Sequence, residues 1–168
     1  SQKLKSAFGD CSALETVSIP CSVTFIGSLA FFNCTALKSI NIPNSVTYID
    51  DHTFECCTAL TSINIPHSVT FINRNLFDCC IALESITIPE SVTCIYEWAF
   101  SDCTSLKSIT LPNSVVSINY NAFNGCTALT SITIPRSVKH IEFKAFYGCS
   151  SLQTVFVPEG LLFSGAFS

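Results

Sequence analysis

The chain reads as a β-rich solenoid, a right-handed superhelix of about seven short coils with parallel strands stacked along its length. Three observations predict it. All seven prolines, Pro20, Pro43, Pro66, Pro89, Pro112, Pro135 and Pro158, recur at a spacing of 23. Seven of the 11 cysteines keep that period: Cys11, Cys34, Cys57, Cys80, Cys103, Cys126 and Cys149. In phase with them run the columns Phe8, Phe31, Phe54, Phe77, Phe100, Phe123, Phe146 and Leu14, Leu37, Leu60, Leu83, Leu106, Leu129, Leu152. No insertion breaks the phase between Phe8 and Pro158, so 1–168 is read as a single solenoid domain without an internal linker. Phe167 then follows Pro158 at nine residues where earlier units place Phe at eleven, which makes 159–168 a degenerate C-terminal unit.

Each unit reads C-T-A-L-x-S-I-T-I-P-x-S-V-T-x-I-x-x-x-A-F-x-x. Its first half alternates, as in Leu60-Thr61-Ser62-Ile63-Asn64-Ile65. β-Branched residues at period two make a strand with Ile63 and Ile65 on one face and Ser62 and Asn64 on the other. Proline has no N–H to give to a ladder, so Pro66 ends the strand at a corner. The second half, from Ser68 to Phe77, supplies Val, Ile and Phe for the core. It is too short for a sizeable helix, and extended, 3₁₀ or single-turn pieces are expected there. One unit cannot bury its own apolar set. Stacked units can, with strands about 4.8 Å apart, giving a rod roughly 35 Å long.

The stretch from Phe54 to Phe77, with L-x-x-I-x-I-P followed by S-V-T-x-I and A-F-x-x-C, resembles the Treponema-type, or BspA-like, leucine-rich repeat family. The resemblance covers Phe8 to Pro158, and the Pro, Phe and Cys columns all coincide. It implies a curved leucine-rich-repeat solenoid with a parallel sheet on the concave side and short 3₁₀ or extended segments on the convex side. It also implies a surface or secreted protein of a bacterium or protist, engaged in adhesion and protein–protein contact. One departure is that Gly27 keeps the glycine usual after the Ile, while Asp50, Asn73, Tyr96, Asn119 and Glu142 replace it later.

Composition narrows the partners. Only 12% of the residues are charged and 48% are hydrophobic, with a mean hydropathy of +0.47. Ser, Thr and Asn must therefore make the surface polar. A net charge of −4 and a pI near 5.2 argue against nucleic acid or an anionic membrane, both of which need a basic face. No apolar run approaches the roughly 18 residues of a transmembrane span. With neither an initiator Met nor a leader pattern, Ser1 is read as opening an excised or processed piece.

In a solenoid the unit of inference is the column, the same repeat position on successive coils. The Cys column faces inward by pattern and reads as buried free thiols acting as small hydrophobes. Zinc would want clustered C-x₂₋₄-C pairs with His partners; the spacing of 23 offers neither, so no metal ligands are assigned. The preceding column, Asp10, Asn33, Cys56, Cys79, Asp102, Gly125, Gly148, holds residue types that tolerate positive φ and is expected to be a turn. Its two cysteines sit on adjacent coils, within the Cα window of a disulfide, so Cys56–Cys79 is the candidate bridge, against two free thiols. The cysteine total of 11 is odd, so complete intrachain pairing is impossible. His52, His67 and His140 fall in different columns, and Asp50, Asp51 and Glu55 are scattered at turns. No catalytic constellation forms, no phosphate-binding glycine loop is present, and no cofactor is implied.

Two surfaces remain. The concave face carries Ser39, Asn41, Ser62, Asn64, Ser85, Thr87, Ser108, Thr110, Ser131 and Thr133, a flat neutral array suited to a peptide or glycan. Such ladders also serve simply as cross-strand pairs that solubilise a sheet. The array further resembles ice-binding surfaces, although those favour regular Thr. Aromatic residues collect elsewhere: Phe25, Tyr48, Phe71, Tyr96, Trp98, Tyr120 and Phe143 form a candidate hot-spot surface, or stack locally along the rod. Asn33-Cys34-Thr35 matches the N-glycosylation pattern, making Asn33 a candidate acceptor. The expected function is a non-enzymatic interaction solenoid for a protein or glycan ligand, displayed extracellularly or on the cell surface, with a cytoplasmic setting left open. The alternative is head-to-tail self-association through open sheet ends into a filament or matrix.

Overall fold

A computed structural model describes residues 2–161 and 165–167. The S-I-T half of each unit builds a first ladder: β3 (Ser39–Ile40), β5 (Ser62–Ile63), β7 (Ser85–Thr87), β9 (Ser108–Thr110), β11 (Ser131–Thr133) and β13 (Thr154–Phe156). Pairing is parallel with a register shift of one unit, Ser39 opposite Ser62 and Ser85 opposite Ser108. Single bridges, Ser18 to Asn41 and Asn64 to Thr87, extend it. Period-two alternation turns the isoleucines inward, where Ile40, Ile63, Ile86, Ile109 and Ile132 are buried, and leaves Ser and Thr outside.

Proline ends each rung as expected, and its carbonyl is used at once. Pro43 accepts the N–H of Val46 at 3.0 Å, closing a tight turn, and the other prolines from Pro20 to Pro135 repeat it. The following x-I pair forms a second parallel ladder. Its members are β1 (Gln2–Leu4), β2 (Val23–Ile26) and β4 (Tyr48–Ile49), then β6 (Phe71–Ile72), β8 (Cys94–Ile95), β10 (Ser117–Ile118) and β12 (His140–Ile141). The rest of the coil is a chain of turns, for example Ala30 N–H to Gly27 O and Phe32 N–H to Leu29 O, both 3.2 Å. Among the described residues this half contains extended pieces and single turns but no 3₁₀ helix. The reason is conformational: two residues per coil take positive φ, and a 3₁₀ run cannot pass through them. One such column runs Leu29, His52, Asn75, Trp98, Asn121 and Lys144, at φ between 51° and 60°. Backbone bonds between coils, such as Phe31 N–H to Thr53 O at 3.0 Å, tie the turns together.

The core is a file of stacked phenylalanines. From Phe8 to Phe167 successive ring centroids lie 5.0–5.8 Å apart, nearly parallel. Both ends of the phase are shortened. Leu4 pairs with Ile26, one residue short of the repeat, and its carbonyl takes the N–H of Gly27 at 2.6 Å. A Cβ at Gly27 would stand 3.1 Å from that oxygen, so glycine suits this coil while side chains occupy the position later. At the C-terminal end, where the sequence phase slips, residues 165–167 still meet the preceding coil. Phe146 N–H donates to Ala166 O, Lys144 N–H to Gly165 O, and the Phe167 ring rejoins the file.

Candidate interaction surfaces and a thiol–carboxylate cluster

The ten side chains predicted for the concave face, from Ser39 to Thr133, are all exposed on the first ladder. None of them hydrogen-bonds another described protein group, unlike the serines of the S-V-T corner. There Ser45, Ser68, Ser91 and Ser114 each donate to the carbonyl of a Val one coil back, at 2.5–2.7 Å. Ion pairs between adjacent coils border the ladder, Lys38 with Glu15 at 3.0 Å and Lys107 with Glu84 at 2.9 Å. All four side chains are mostly exposed, so these pairs set register more than they stabilise.

The aromatic residues divide into short runs. Phe25 and Tyr48 stack at 5.5 Å on β2 and β4, Phe71 meets Tyr96 at 5.8 Å, and Trp98, Tyr120 and Phe143 follow one another. Tyr48, Tyr120 and Phe143 are exposed and the other four half-buried, so local stacking and surface presentation coexist. Between β4 and β6 the second ladder is interrupted. On other coils a backbone N–H reaches the isoleucine carbonyl below, as Asp50 does to Ile26; here the buried Asn73 side chain donates to Ile49 O instead. A shallow cavity of about 270 Å³ opens there, lined by Tyr48, Asp51, Phe71, Asn73, Arg74 and Tyr96.

From Cys34 to Cys149 the cysteine column is buried, whereas Cys11, on the first coil, is exposed; the buried members are more than apolar filler. Each thiol from Cys34 to Cys149 donates to the carbonyl of a Phe on the preceding coil, at 3.1–3.2 Å. The same carbonyl already accepts an N–H from its own coil, as Phe54 does from Cys57, so the thiol fills the second lone pair. Burial pushes the Cys57 thiol up to about 12 and raises Cys80 and Cys103 well above the ordinary value. Sequence pattern alone marks these positions as small and buried; the donor role needs the stacked carbonyl.

All seven members of the turn column, Asp10 to Gly148, have φ between 53° and 74°. Asn33 Nδ2 donates there to Asp10 Oδ1 at 2.9 Å, and Cys56 and Cys79 stand unbridged on adjacent coils. Stacking also assembles what chain spacing keeps apart. Asp78, Cys79 and Asp102 each bring one donor atom to a cluster spanning 4.8 Å. Asp78 Oδ2 accepts from Asn75 Nδ2 at 2.8 Å, while its buried Oδ1 accepts from none of the described residues. Nearby, His52 Nδ1 lies 2.6 Å from Glu55 Oε2. The signal available in the sequence was an acid beside the Cys column on two successive coils. For the second left-handed column the sequence signal is confined to Asn75 and Asn121.

Coils held by three sets of bonds between neighbours, with two differently surfaced flanks, define a repeat protein whose faces are built for interaction. The chain belongs to the BspA type leucine rich repeat family: six copies of the repeat match over residues 4–103 and 70–168. A leucine-rich repeat protein from Bacteroides ovatus is 39% identical at a TM-score of 0.89, covering 94% of this chain and 41% of that one. The leucine rich repeat protein of T. pallidum is 34% identical at a TM-score of 0.85, covering 95% and 72%. A leucine rich cell surface protein from Faecalibacterium prausnitzii is 38% identical at a TM-score of 0.76, covering 91% and 42%. The chain thus spans about two fifths of the Bacteroides ovatus and Faecalibacterium prausnitzii structures. No curated protein matches the sequence. Among the described residues no helix is long and apolar enough to cross a membrane.

Proposed function

We propose that the protein is a non-enzymatic adhesion or binding module, extracellular or on the cell surface, that holds a protein or glycan ligand along the outer face of its first ladder. The observation that carries this is the uncommitted state of that face. Ten exposed hydroxyls and amides have no partner among the described residues, while the corner serines are bound to backbone. Such groups exchange water for ligand without breaking any bond of the fold, and successive rungs repeat them about every 4.8 Å. A rigid rod also orders them beforehand, which lowers the entropic cost of a many-point contact. Family membership and the surface description of the Faecalibacterium prausnitzii neighbour support the setting.

The test is a glycan and peptide array probed with wild type, T87K/T110K and Y120A/F143A. Binding lost only in T87K/T110K supports the strand face. Loss confined to Y120A/F143A moves the site to the aromatic flank and overturns the assignment. End-to-end association is the second reading, favoured by β13, which has no outer partner strand among the described residues and carries Phe156 at 61% exposure. Light scattering against concentration tests it: growth abolished by F156K supports stacking, and a monomer at all concentrations refutes it.

A further inference from the structure

The left-handed turn column holds the one place among the described residues where three ligand-bearing side chains converge. We infer that Asp78, Cys79 and Asp102 form a site for a borderline-soft divalent cation of the zinc class, clipping the coil of Cys79 to the coil of Asp102. The donor set chooses the metal: one sulfur with two carboxylates suits zinc or cadmium, whereas calcium and magnesium take oxygen ligands alone. The geometry is close. Donor atoms within 4.8 Å of one another need to contract to roughly 3.3–3.8 Å to meet metal bonds of about 2.0–2.3 Å, a movement side chains can supply.

The backbone need not move, because Cys79 N–H is bonded to Ser101 O at 2.9 Å and Asp102 N–H to Asn124 O at 2.7 Å. Gly125 leaves room for the Asp102 carboxylate, which a side chain there would strike. Asn75 acts as the outer support: it engages Asp78 Oδ2 and leaves Oδ1, buried and unpartnered, as the ligand atom. Charge points the same way. Asp78 and Asp102 have no Lys or Arg within ion-pair distance among the described residues, and the neighbouring Glu55 has only His52.

A bound dication favours the thiolate, so the sulfur–metal bond forms as the Cys79 thiol proton leaves to solvent, with no change of oxidation state. Water completes the tetrahedron. Cys56, within hydrogen-bonding reach of Cys79, is not a ligand; the disulfide expected between these two would consume the ligand sulfur, so bridge and metal exclude each other.

The test uses the full chain, reduced and metal-free, titrated with Co²⁺ and then displaced by Zn²⁺. The expected result is thiolate-to-cobalt charge transfer saturating at a single equivalent, with proton release, retained in C56S. C79G should lose the band and at least about tenfold in affinity, and D102N at least about tenfold. C79G is a fair variant because Gly125 and Gly148 occupy the same left-handed position naturally. Charge transfer that persists in C79G places the metal on another thiol and overturns the site. So does a reduced wild type that shows no band.

Discussion

Replacing Cys80 separates the two roles a buried thiol can play. Its side chain is wholly buried, and its sulfur stands 3.2 Å from Phe54 O. Cys80→Ala removes about one methylene equivalent of apolar burial, near 1 kcal/mol, plus a term for the cavity. It also returns the Phe54 carbonyl to a single bond, from Cys57 N–H at 3.1 Å, costing about 0.5–1 kcal/mol. The sum is a loss of about 1.5–2.5 kcal/mol. Cys80→Val restores the volume but not the donor and should remain about 1 kcal/mol below wild type. Cys80→Ser keeps a donor on a shorter bond and should lie above Ala. Urea unfolding with reductant present, at unchanged m-value, gives the order wild type, then Val and Ser, then Ala. Infrared spectroscopy adds a direct reading, since a donating S–H stretches at lower frequency than a free one. A Val variant as stable as wild type, with Ser no better than Ala, would refute the hydrogen-bond role.

Three further outcomes follow from the same geometry. Because burial holds Cys57 near 12 against an ordinary 9.0, the unfolded thiol ionises first; stability is complete below about pH 9 and falls as pH rises towards 12, measurable by urea midpoints across that range. Phe77→Ala, which empties a fully buried ring place between neighbours at 5.8 and 5.4 Å, should cost about 3–5 kcal/mol. Phe8→Ala, half-buried and stacked on one side only, should cost about 1–2 kcal/mol, and equal losses would contradict a core shared between coils. Leu29→Asn should raise stability by about 0.5–1 kcal/mol, since Leu29 is exposed at φ 60° where Asn75 and Asn121 stand in the same column; a lower thermal midpoint would show that its packing matters more than its strain.

Much of this was legible because a solenoid translates sequence period directly into contact. Once Phe54, Phe77 and Phe100 are known to recur at one interval, their stacking follows from parallel coils of equal length. The turn column was readable for a related reason: Asp, Asn and Gly share a tolerance for positive φ, and Asp10, Asn33 and Gly125 all adopt it. Residue type and conformation disagree elsewhere. Leu29, Trp98 and Lys144 take the left-handed region although nothing in their chemistry favours it; the bonds their coils make above and below impose it. At the C-terminal unit the count and the structure agree. Phe167 comes two residues early after Pro158, and Ala166 O meets Phe146 N–H two residues earlier than the repeat would place it, while the Phe167 ring stacks on Phe146.

The sequence by itself determined the repeat, its length, the inward set of Ile, Leu, Phe and Cys, and the outward Ser, Thr and Asn of the first ladder, because period-two alternation and fixed-period stacking act on every coil alike. Only the tertiary structure decided what those groups do to one another. The thiols became donors because a carbonyl one coil away had a lone pair to spare. The outer hydroxyls stayed uncommitted among the described residues because like side chains on neighbouring rungs stand about 4.8 Å apart, beyond hydrogen-bond reach. Asp78, Cys79 and Asp102 met because adjacent coils place residues 23 apart side by side, a closeness that distance along the chain conceals.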